Sequence, residues 1–366
     1  MRILSLIMLA FVIACNPASK KASNPELQFV SIHPQPIIEK NSKGVENNKF
    51  GFEGGTAHKI NGKYYIFSTE VFDNPKTSAV RISQWESNDG ISFKKIQELA
   101  KTNYDWNDTT YNMSPWSPMC VYDTKEERWN IFYVGYKRKP RATDIWNMSG
   151  RIRRLVASKK GLEGITSNYE NTGLIDMPGS PDKWEGAAEV DSFFPYQIGN
   201  EWYAFYGSNS APEFIDPLSK PQENNKAKIL FWVGLAKSSN NSLSGTWKRL
   251  TKTNPVLMDP EFMENPIVTK INDSLYIVIY DGGNKHEISY AISKDGINWG
   301  KEKLIVLKDV PKWLDTSRTP LCLIDEGNNI YTIYFTAFDG VNPEKTPPLW
   351  HDGFGNVGML KVKLVQ

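Results

Sequence analysis

The sequence predicts an all-β protein, a five-bladed β-propeller, on three observations. Five segments repeat one form: a short apolar strand, a polar turn and an aromatic-rich strand. Two further strands follow most of these pairs, which gives units of four antiparallel strands. Helical periodicity is almost absent, which argues against an α/β or a two-layer mixed fold. With 366 residues, of which 40% are hydrophobic, the chain is long enough for one large β domain or two ordinary ones.

The second strands of the five pairs set the repeat. Their turns carry Asn-Gly, Gly-Asn or Asn-Asp, as β-hairpins do. The equivalent positions lie 65, 73, 73 and 55 residues apart and are Tyr65, Asn130, Tyr203, Tyr276 and Tyr331. Residues 26–40, "ELQFVSIHPQPIIEK", supply either a strand that closes the ring against the last blade or a strand packed on the outside.

The first fifteen residues, "MRILSLIMLAFVIAC", predict an export signal. They resemble a bacterial lipobox, with residues 12–14 (Val-Ile-Ala) before Cys15, which implies that Cys15 becomes the lipidated N-terminus. A plain signal peptide with an incidental cysteine is the alternative. Residues 16–26 are polar and predict a flexible tether, and residues 27–366 the propeller domain. The lack of an acidic run after Cys15 favours the periplasmic side of a bacterial membrane.

Charge excludes one class of partner. Lysine and arginine number 43 against 41 acidic residues, and no long run of one sign occurs, so nucleic acid is not expected to bind. Within the predicted domain the only cysteines are Cys120 and Cys322. Two distant cysteines are weak grounds for a disulfide, and buried free thiols explain them equally well, so we assign them no chemistry.

Acidic residues recur twelve positions before the aligned second strands, where the innermost strand of each unit begins. These positions are Glu53, Pro118, Asp191, Glu264 and Thr319. Innermost propeller strands line a channel, and a single acid there often only bonds to backbone. Three acids in register are the set that glycosidic bond cleavage uses: one activates water or attacks, one donates a proton, and one raises the donor's pKa.

The chain resembles the five-bladed propeller glycosidases of glycoside hydrolase family 43, the arabinofuranosidase and xylosidase type. The segments that carry the resemblance are Trp116-Ser117-Pro118 for a Trp-Ala-Pro segment, residues 190–192 (Val-Asp-Ser) for Ile-Asp-Pro, and residues 264–266 (Glu-Asn-Pro) for Glu-Gly-Pro. The resemblance implies Glu264 as general acid, Asp191 as the residue that orients it and raises its pKa, and Glu53 as base. It also implies inversion, with the carboxyl groups roughly 6.5 to 9.5 Å apart.

The first unit departs from this pattern, because Glu53 precedes two glycines where the family has aspartate and proline. If Glu53 does not serve as base, Asp108 or Glu189 is the next candidate. The departure keeps a non-catalytic glycan-binding lipoprotein as the alternative function. The fifth unit has Arg318 where relatives often place a histidine near a bound metal, so an axial calcium has no support and we assign no cofactor.

Loops rich in turn formers carry tryptophans that we predict to be sugar platforms. These are Trp106, Trp116, Trp146, Trp184 and Trp350; packing between blades is the alternative for each. Arg318 is a candidate ligand for an acidic sugar or a sulfate, with a solvated arginine as the alternative. The Ser-x-Asp-Gly turns at 87–90 and 293–296 also occur in sialidases, but the arginines and tyrosine that a sialidase needs cannot be placed from sequence.

Overall fold

The structure, a computed structural model, describes residues 25–72, 79–105, 111, 114–136, 150–186, 189–209, 231–256, 263–282, 286–340 and 353–365. The all-β prediction is confirmed, since the described residues form 21 strands, one short 3-10 helix at Leu162–Thr166 and no α-helix. No helix among them is long and apolar enough to cross a membrane.

Three of the predicted units form separate four-stranded antiparallel sheets, each in simple chain order. The second unit comprises β6 (Ser114–Asp123), β7 (Arg128–Tyr136), β8 (Arg151–Ala157) and β9 (Tyr169–Leu174). The third comprises β10 (Ser192–Ile198), β11 (Glu201–Asn209), β12 (Phe231–Ser238) and β13 (Trp247–Arg249). The fourth comprises β14 (Glu264–Asn272), β15 (Leu275–Asp281), β16 (Glu287–Ser293) and β17 (Lys303–Val306).

The first and last units share a single nine-stranded sheet. The first unit contributes β2 (Asn48–Ile60), β3 (Lys63–Phe72), β4 (Ala79–Ser87) and β5 (Lys94–Lys101). The last contributes β18 (Thr316–Pro320), β19 (Ile324–Gly327), β20 (Ile330–Phe338) and β21 (Gly355–Val365), with β1 (Glu26–Ile32) on its outer edge. The two units meet at one parallel pair, Gly51 with Gly355. The start and the end of the described chain are therefore held in one sheet.

The N-terminal strand β1 runs antiparallel to β21, from the pair Glu26–Val365 to the pair Ile32–Leu360. Of the two placements that the sequence left open, the structure shows the strand paired with the last unit. β1 hydrogen-bonds β21 and is the outermost strand of that unit. β1 begins at Glu26, next to the predicted domain start at residue 27. The tether predicted over residues 16–26 lies outside the described residues up to residue 24.

All five aligned positions lie on the strand that pairs with the innermost strand of their unit, as the repeat predicts; in the last unit β18 and β19 share the innermost position beside β20. Tyr65 lies on β3, Asn130 on β7, Tyr203 on β11, Tyr276 on β15 and Tyr331 on β20. These strands are buried along most of their length, which explains their continuous aromatic and β-branched composition. The innermost strands β2, β6, β10, β14 and β18 each pair with one of them.

The two Ser-x-Asp-Gly turns stabilise hairpins. Asp89 accepts hydrogen bonds from the backbone N–H groups of Ile91 and Ser92 after β4, and Asp295 does the same for Ile297 and Asn298 after β16. Cys120 and Cys322 are free and buried, so the structure has no disulfide between them. Burial raises the pKa of both thiols, that of Cys322 to about 12, which keeps them protonated and unreactive.

Candidate active site

Irregular pairing interrupts four of the innermost strands at the same level. On β2 the register shifts between Glu53 and Gly55, on β6 between Trp116 and Met119, on β14 between Glu264 and Ile267, and on β18 between Ser317 and Pro320. In each case the inner strand has one residue more than its partner, which is a β-bulge. Bulges bend a strand and re-aim its side chains. Glu53, Trp116, Glu264 and Arg318 therefore leave the regular in-and-out alternation at this level, whereas Asp191 lies just before the regularly paired β10.

The bulges surround a cavity with an empty volume of about 290 Å³, part of it open to solvent. Glu53, Asp191, Glu264, Arg318 and Trp116 line it, together with Ser117 and Asn265. The repeat thus brought together three carboxyl groups from three different units, although more than two hundred residues separate the first from the last.

Arg318 connects the carboxyl groups of this cavity. Its Nε donates to Glu53 Oε1 at 3.0 Å, one terminal nitrogen to Glu264 Oε2 at 2.8 Å, and the other to Asp281 Oδ2 at 2.5 Å. Only a quarter of the arginine side chain is exposed. Because one planar guanidinium touches both Glu53 and Glu264, the bonded oxygens of these two residues are no more than about 8 Å apart.

The cavity holds more acid than its single arginine can neutralise. Burial raises the pKa of Glu264 to about 8; Arg318 opposes this shift, while Asp191, Asp281 and Glu53 add to it. Burial also raises the pKa of Glu53, again against the attraction of Arg318. The three carboxylates keep Arg318 charged by raising its pKa, although burial alone would lower it. At neutral pH Glu264 therefore retains a proton that it can donate.

Asp191 lies just before β10, where its backbone N–H donates to the carbonyl of Gly207. Both of its carboxyl oxygens are buried without a well-aligned hydrogen bond among the described residues. Burial raises the pKa of Asp191 to about 7, and the nearby backbone, the Ser192 hydroxyl and Arg318 only partly offset it. A Cβ on Gly207 would lie 2.1 Å from Asp191 Oδ1, so a glycine is needed there to admit the carboxyl group.

The predicted tryptophans have different outcomes. Trp116 is buried and lines the cavity. Trp184 is 2% exposed, packs against Tyr206 with ring centroids 5.6 Å apart, and does not line the cavity. For Trp184 the structure therefore shows a packed indole, as in the alternative, rather than a sugar platform: the side chain is buried in the core. Trp106, Trp146 and Trp350 lie outside the described residues.

The remaining candidates are also placed or bounded. Arg318 lines the cavity, but its guanidinium is already engaged by three carboxylates, which leaves an acidic sugar or a sulfate to compete with them. Glu189, a substitute candidate for the base, forms an ion pair with Arg151 and is not among the residues that line the cavity. Asp108 and Cys15 lie outside the described residues.

Two buried groups of this site escaped the sequence analysis. Asp281, the last residue of β15, pairs directly with Glu264 across the sheet and is 3% exposed. The fully buried Tyr136 ends β7 and donates from its hydroxyl to the backbone carbonyl of Asp191 at 3.3 Å. The sequence signal for Asp281 is an acid at the end of an apolar strand, in "YIVIYDGG", one strand after Glu264.

The described residues contain no recognisable metal site. No group of three or more His, Cys, Asp or Glu residues there has a geometry that could hold a metal ion. The guanidinium of Arg318 provides positive charge among the carboxylates.

Comparison of folds relates this geometry to known proteins. No family model and no curated protein matches the sequence. Among solved structures, Zg3597, a family 117 glycoside hydrolase of the marine bacterium Zobellia galactanivorans, superposes with a TM-score of 0.62 at 13% identity over 92% of this chain and 91% of its own. The chain has the fold of a glycoside hydrolase.

Two further structures agree. BT0996, solved in a complex with RGII, gives a TM-score of 0.59 at 13% identity and covers 84% of this chain and 85% of its own. CoXyl43, a family 43 β-xylosidase/α-arabinofuranosidase from a compost microbial metagenome, gives 0.52 at 12% identity over 89% of this chain and 93% of its own. The resemblance to family 43 glycosidases that the sequence carries is thus matched at the level of the fold.

Proposed function

We propose that this protein is a glycoside hydrolase that cleaves oligo- or polysaccharides in the cavity between its innermost strands. The observation that carries the proposal is the convergence of Glu53, Asp191 and Glu264 on one cavity, with Arg318 between two of them. Glycosidic bond cleavage uses two carboxyl groups, one that is protonated and donates its proton and one that is ionised and activates water or attacks. The shared fold with glycoside hydrolases supports the same class of substrate.

In the proposed mechanism Glu264 is the general acid. Its raised pKa leaves it protonated near neutral pH, so that it can give a proton to the oxygen of the departing sugar. Asp191 supports the protonated state of Glu264 through like-charge repulsion, one of the causes of the raised pKa. Glu53 is the base that takes a proton from the attacking water; its bond to Arg318 Nε favours the ionised form that a base requires, against the burial that raises its pKa.

We further propose that the reaction inverts the anomeric configuration. An inverting pair lies roughly 6.5 to 9.5 Å apart to leave room for water, and a retaining pair about 5 to 5.5 Å. The upper bound of about 8 Å between the bonded oxygens of Glu53 and Glu264 is compatible with both spacings, so the proposal of inversion rests on the resemblance to family 43. Proton NMR of the first-formed sugar would distinguish the two outcomes through the anomer that appears.

The architecture that we propose for this function is the five-bladed propeller. The four-stranded units, the innermost strands with their bulges at one level, and the pairing of β1 with β21 support it. We also propose that Cys15 is lipidated and holds the protein at a bacterial membrane on the periplasmic side. That part rests on the sequence of the first fifteen residues alone.

The test is sugar release from a panel of plant and algal oligosaccharides by the detergent-solubilised full chain. We expect Glu264→Gln to lower kcat by about 10²- to 10⁴-fold, since the amide cannot donate the proton. Glu39→Gln is the matched control, because Glu39 is exposed and does not line the cavity. Glycan binding without any release in the wild type would replace the hydrolase with the alternative, a non-catalytic glycan-binding protein.

A further inference from the structure

Two bulge residues beside the cavity have an unusual backbone conformation. Ser117 on β6 has φ 46° and Asn265 on β14 has φ 51°. This left-handed region is uncommon for residues other than glycine, and serine has little preference for it. Such conformations persist where the surroundings hold them, and they concentrate at functional sites. What holds these two residues is visible in their side chains.

The two side chains bond to each other between different sheets. Ser117 Oγ donates to Asn265 Oδ1 at 3.1 Å, and both side chains are buried. Asn265 Nδ2 continues to Thr319 Oγ1 on β18 at 3.4 Å, a long contact. The backbone N–H of Ser117 donates to Thr69 Oγ1 on β3 at 2.9 Å. Four strands from three sheets are thereby joined at the level of the bulges.

We propose that the Ser117–Asn265 pair positions Glu264 for proton donation, an inference that rests on the proposed function. Asn265 directly follows Glu264, so the backbone of the bulge sets the direction in which the glutamate leaves β14. Ser117 directly follows Trp116, so the same bond fixes two walls of the cavity relative to each other. Catalytic geometry is sensitive to displacements of about 1 Å, which a loosened bulge readily allows.

A merely structural role for this bond predicts something different. Removing the Ser117 hydroxyl leaves Asn265 Oδ1 buried without its partner, which destabilises the fold in either case. Only a positioning role also changes the environment of the Glu264 carboxyl group. The decisive readouts are therefore the acid dissociation of Glu264 and kcat, rather than stability.

The experiment compares Ser117→Ala, Asn265→Gly and the double variant in the full chain. Asn265→Gly removes the amide but keeps the left-handed backbone accessible, because glycine adopts it without strain. The matched control is Ser238→Ala, since Ser238 is a buried serine whose Oγ bonds within its own turn, to Asn240 Oδ1 at 3.2 Å or the Ser242 carbonyl at 2.8 Å, and does not line the cavity. Thermal unfolding is measured on every variant to confirm that it is folded.

We expect kcat to fall at least tenfold in either single variant while KM changes less than twofold. The double variant loses no more than the worse single variant, because one bond is removed only once. Ser238→Ala keeps its kcat although its stability falls. Unchanged kcat in folded Ser117→Ala, or losses that simply multiply in the double variant, would overturn the proposal.

A second measurement does not depend on turnover. Carbon-13 NMR of glutamate-labelled protein follows the titration of Glu264, assigned by the signal that Glu264→Gln removes. We expect the acid dissociation constant of Glu264 to rise about tenfold in Ser117→Ala, which is a lower pKa, because a displaced carboxyl group regains water that stabilises its ionised form. In Ser238→Ala we expect no change. If the wild type is inactive but the titration shifts in Ser117→Ala, the hydrolase proposal is refuted and the positioning role is kept. If the wild type is active but the titration does not shift, the positioning role is refuted and the hydrolase proposal is kept.

Discussion

At the residue scale, the site concentrates acid around one guanidinium. Glu53, Glu264 and Asp281 all bond to Arg318, and Asp191 lies beside them with no well-aligned hydrogen bond among the described residues. Buried carboxyl groups in such number cannot all be ionised, because one positive charge balances only one of them. The proton that Glu264 keeps is thus a direct consequence of burial and crowding. This same proton links catalysis to stability.

We predict that stability falls with rising pH because of Glu264 and Asp191. Their carboxyl groups titrate near pH 4 when unfolded but at about 8 and about 7 when folded, so the folded state binds more protons between these values. The stabilisation is complete below pH 4 and is lost as pH rises through 7 to 8, with a slope of up to about 1.4 kcal/mol per pH unit for each proton.

Urea unfolding at pH 6, 7, 8 and 9 measures this slope. His58, whose pKa burial lowers to about 4, contributes a slope of opposite sign, but only below its unfolded pKa of about 6.5. We expect Glu264→Gln to flatten the dependence between pH 6 and 8, and Glu39→Gln to leave it unchanged. The same slope in Glu264→Gln as in the wild type would mean that Glu264 is ionised in the folded protein at neutral pH.

At the element scale, regular strands were predictable and their interruptions were not. Alternation of apolar and aromatic residues located the strands, and their spacing put Glu53, Asp191 and Glu264 at one level. The bulges depend on contacts between units, which no single segment reveals. Ser117 and Asn265 stand where the resembled segments have alanine and glycine, yet only the fold shows that they are hydrogen-bond partners.

The junction of the first and last units gives a prediction for an element. A Cβ on Gly51 would lie 2.2 Å from the carbonyl oxygen of Gly355, whereas a Cβ on Gly62 meets nothing within 4 Å. Both glycines have positive φ, 89° and 80°, so they share the conformational strain of a substitution. We expect Gly62→Ala to cost about 1 kcal/mol of unfolding free energy and Gly51→Ala about 3 kcal/mol or more.

Urea unfolding of the two variants under the same conditions checks this difference. The comparison subtracts the backbone strain and leaves the contact between β2 and β21. Equal losses in both variants would show that the two units tolerate separation at Gly51, and that their other contacts, such as the bond from the Ala57 N–H to the Leu321 carbonyl, hold them together.

At the scale of the whole molecule, the unpredicted parts are those that need the assembled fold. The long side chain of Arg318 reaches Glu53, Glu264 and Asp281 only because three units converge, so its partners could not be derived from its own segment. Trp184 is a second example: it lies in a turn-rich stretch of sequence, and only the assembled fold shows that its side chain is buried in the core. The direction of the terminal strands is a further property of the assembled sheet.

The terminal strands place the described N-terminus at the end of the sheet away from the cavity. Asn356 pairs with Ala337, which pairs with Ser317 beside Arg318, while Val365 pairs with Glu26. Nine residues of strand separate Asn356 from Val365, or about 30 Å. If Cys15 carries lipid as proposed, the ten residues from 16 to 25 reach about 35 Å only when fully extended, and about 20 Å as a flexible tether. The cavity is then expected to face away from the membrane.

Energy transfer from a labelled cysteine to an acceptor lipid tests this orientation in the lipidated protein. Asp273→Cys places the label at the end of the sheet away from the cavity, on a side chain that is 99% exposed. Lys101→Cys, whose native side chain is 65% exposed, places it at the cavity end, because its row runs through Arg81 and Glu70 to Phe52. Cys120 and Cys322 are buried and stay unlabelled. We expect stronger transfer from position 273. Stronger transfer from position 101 would mean that the cavity faces the lipid. Equal transfer would mean that the tether imposes no orientation.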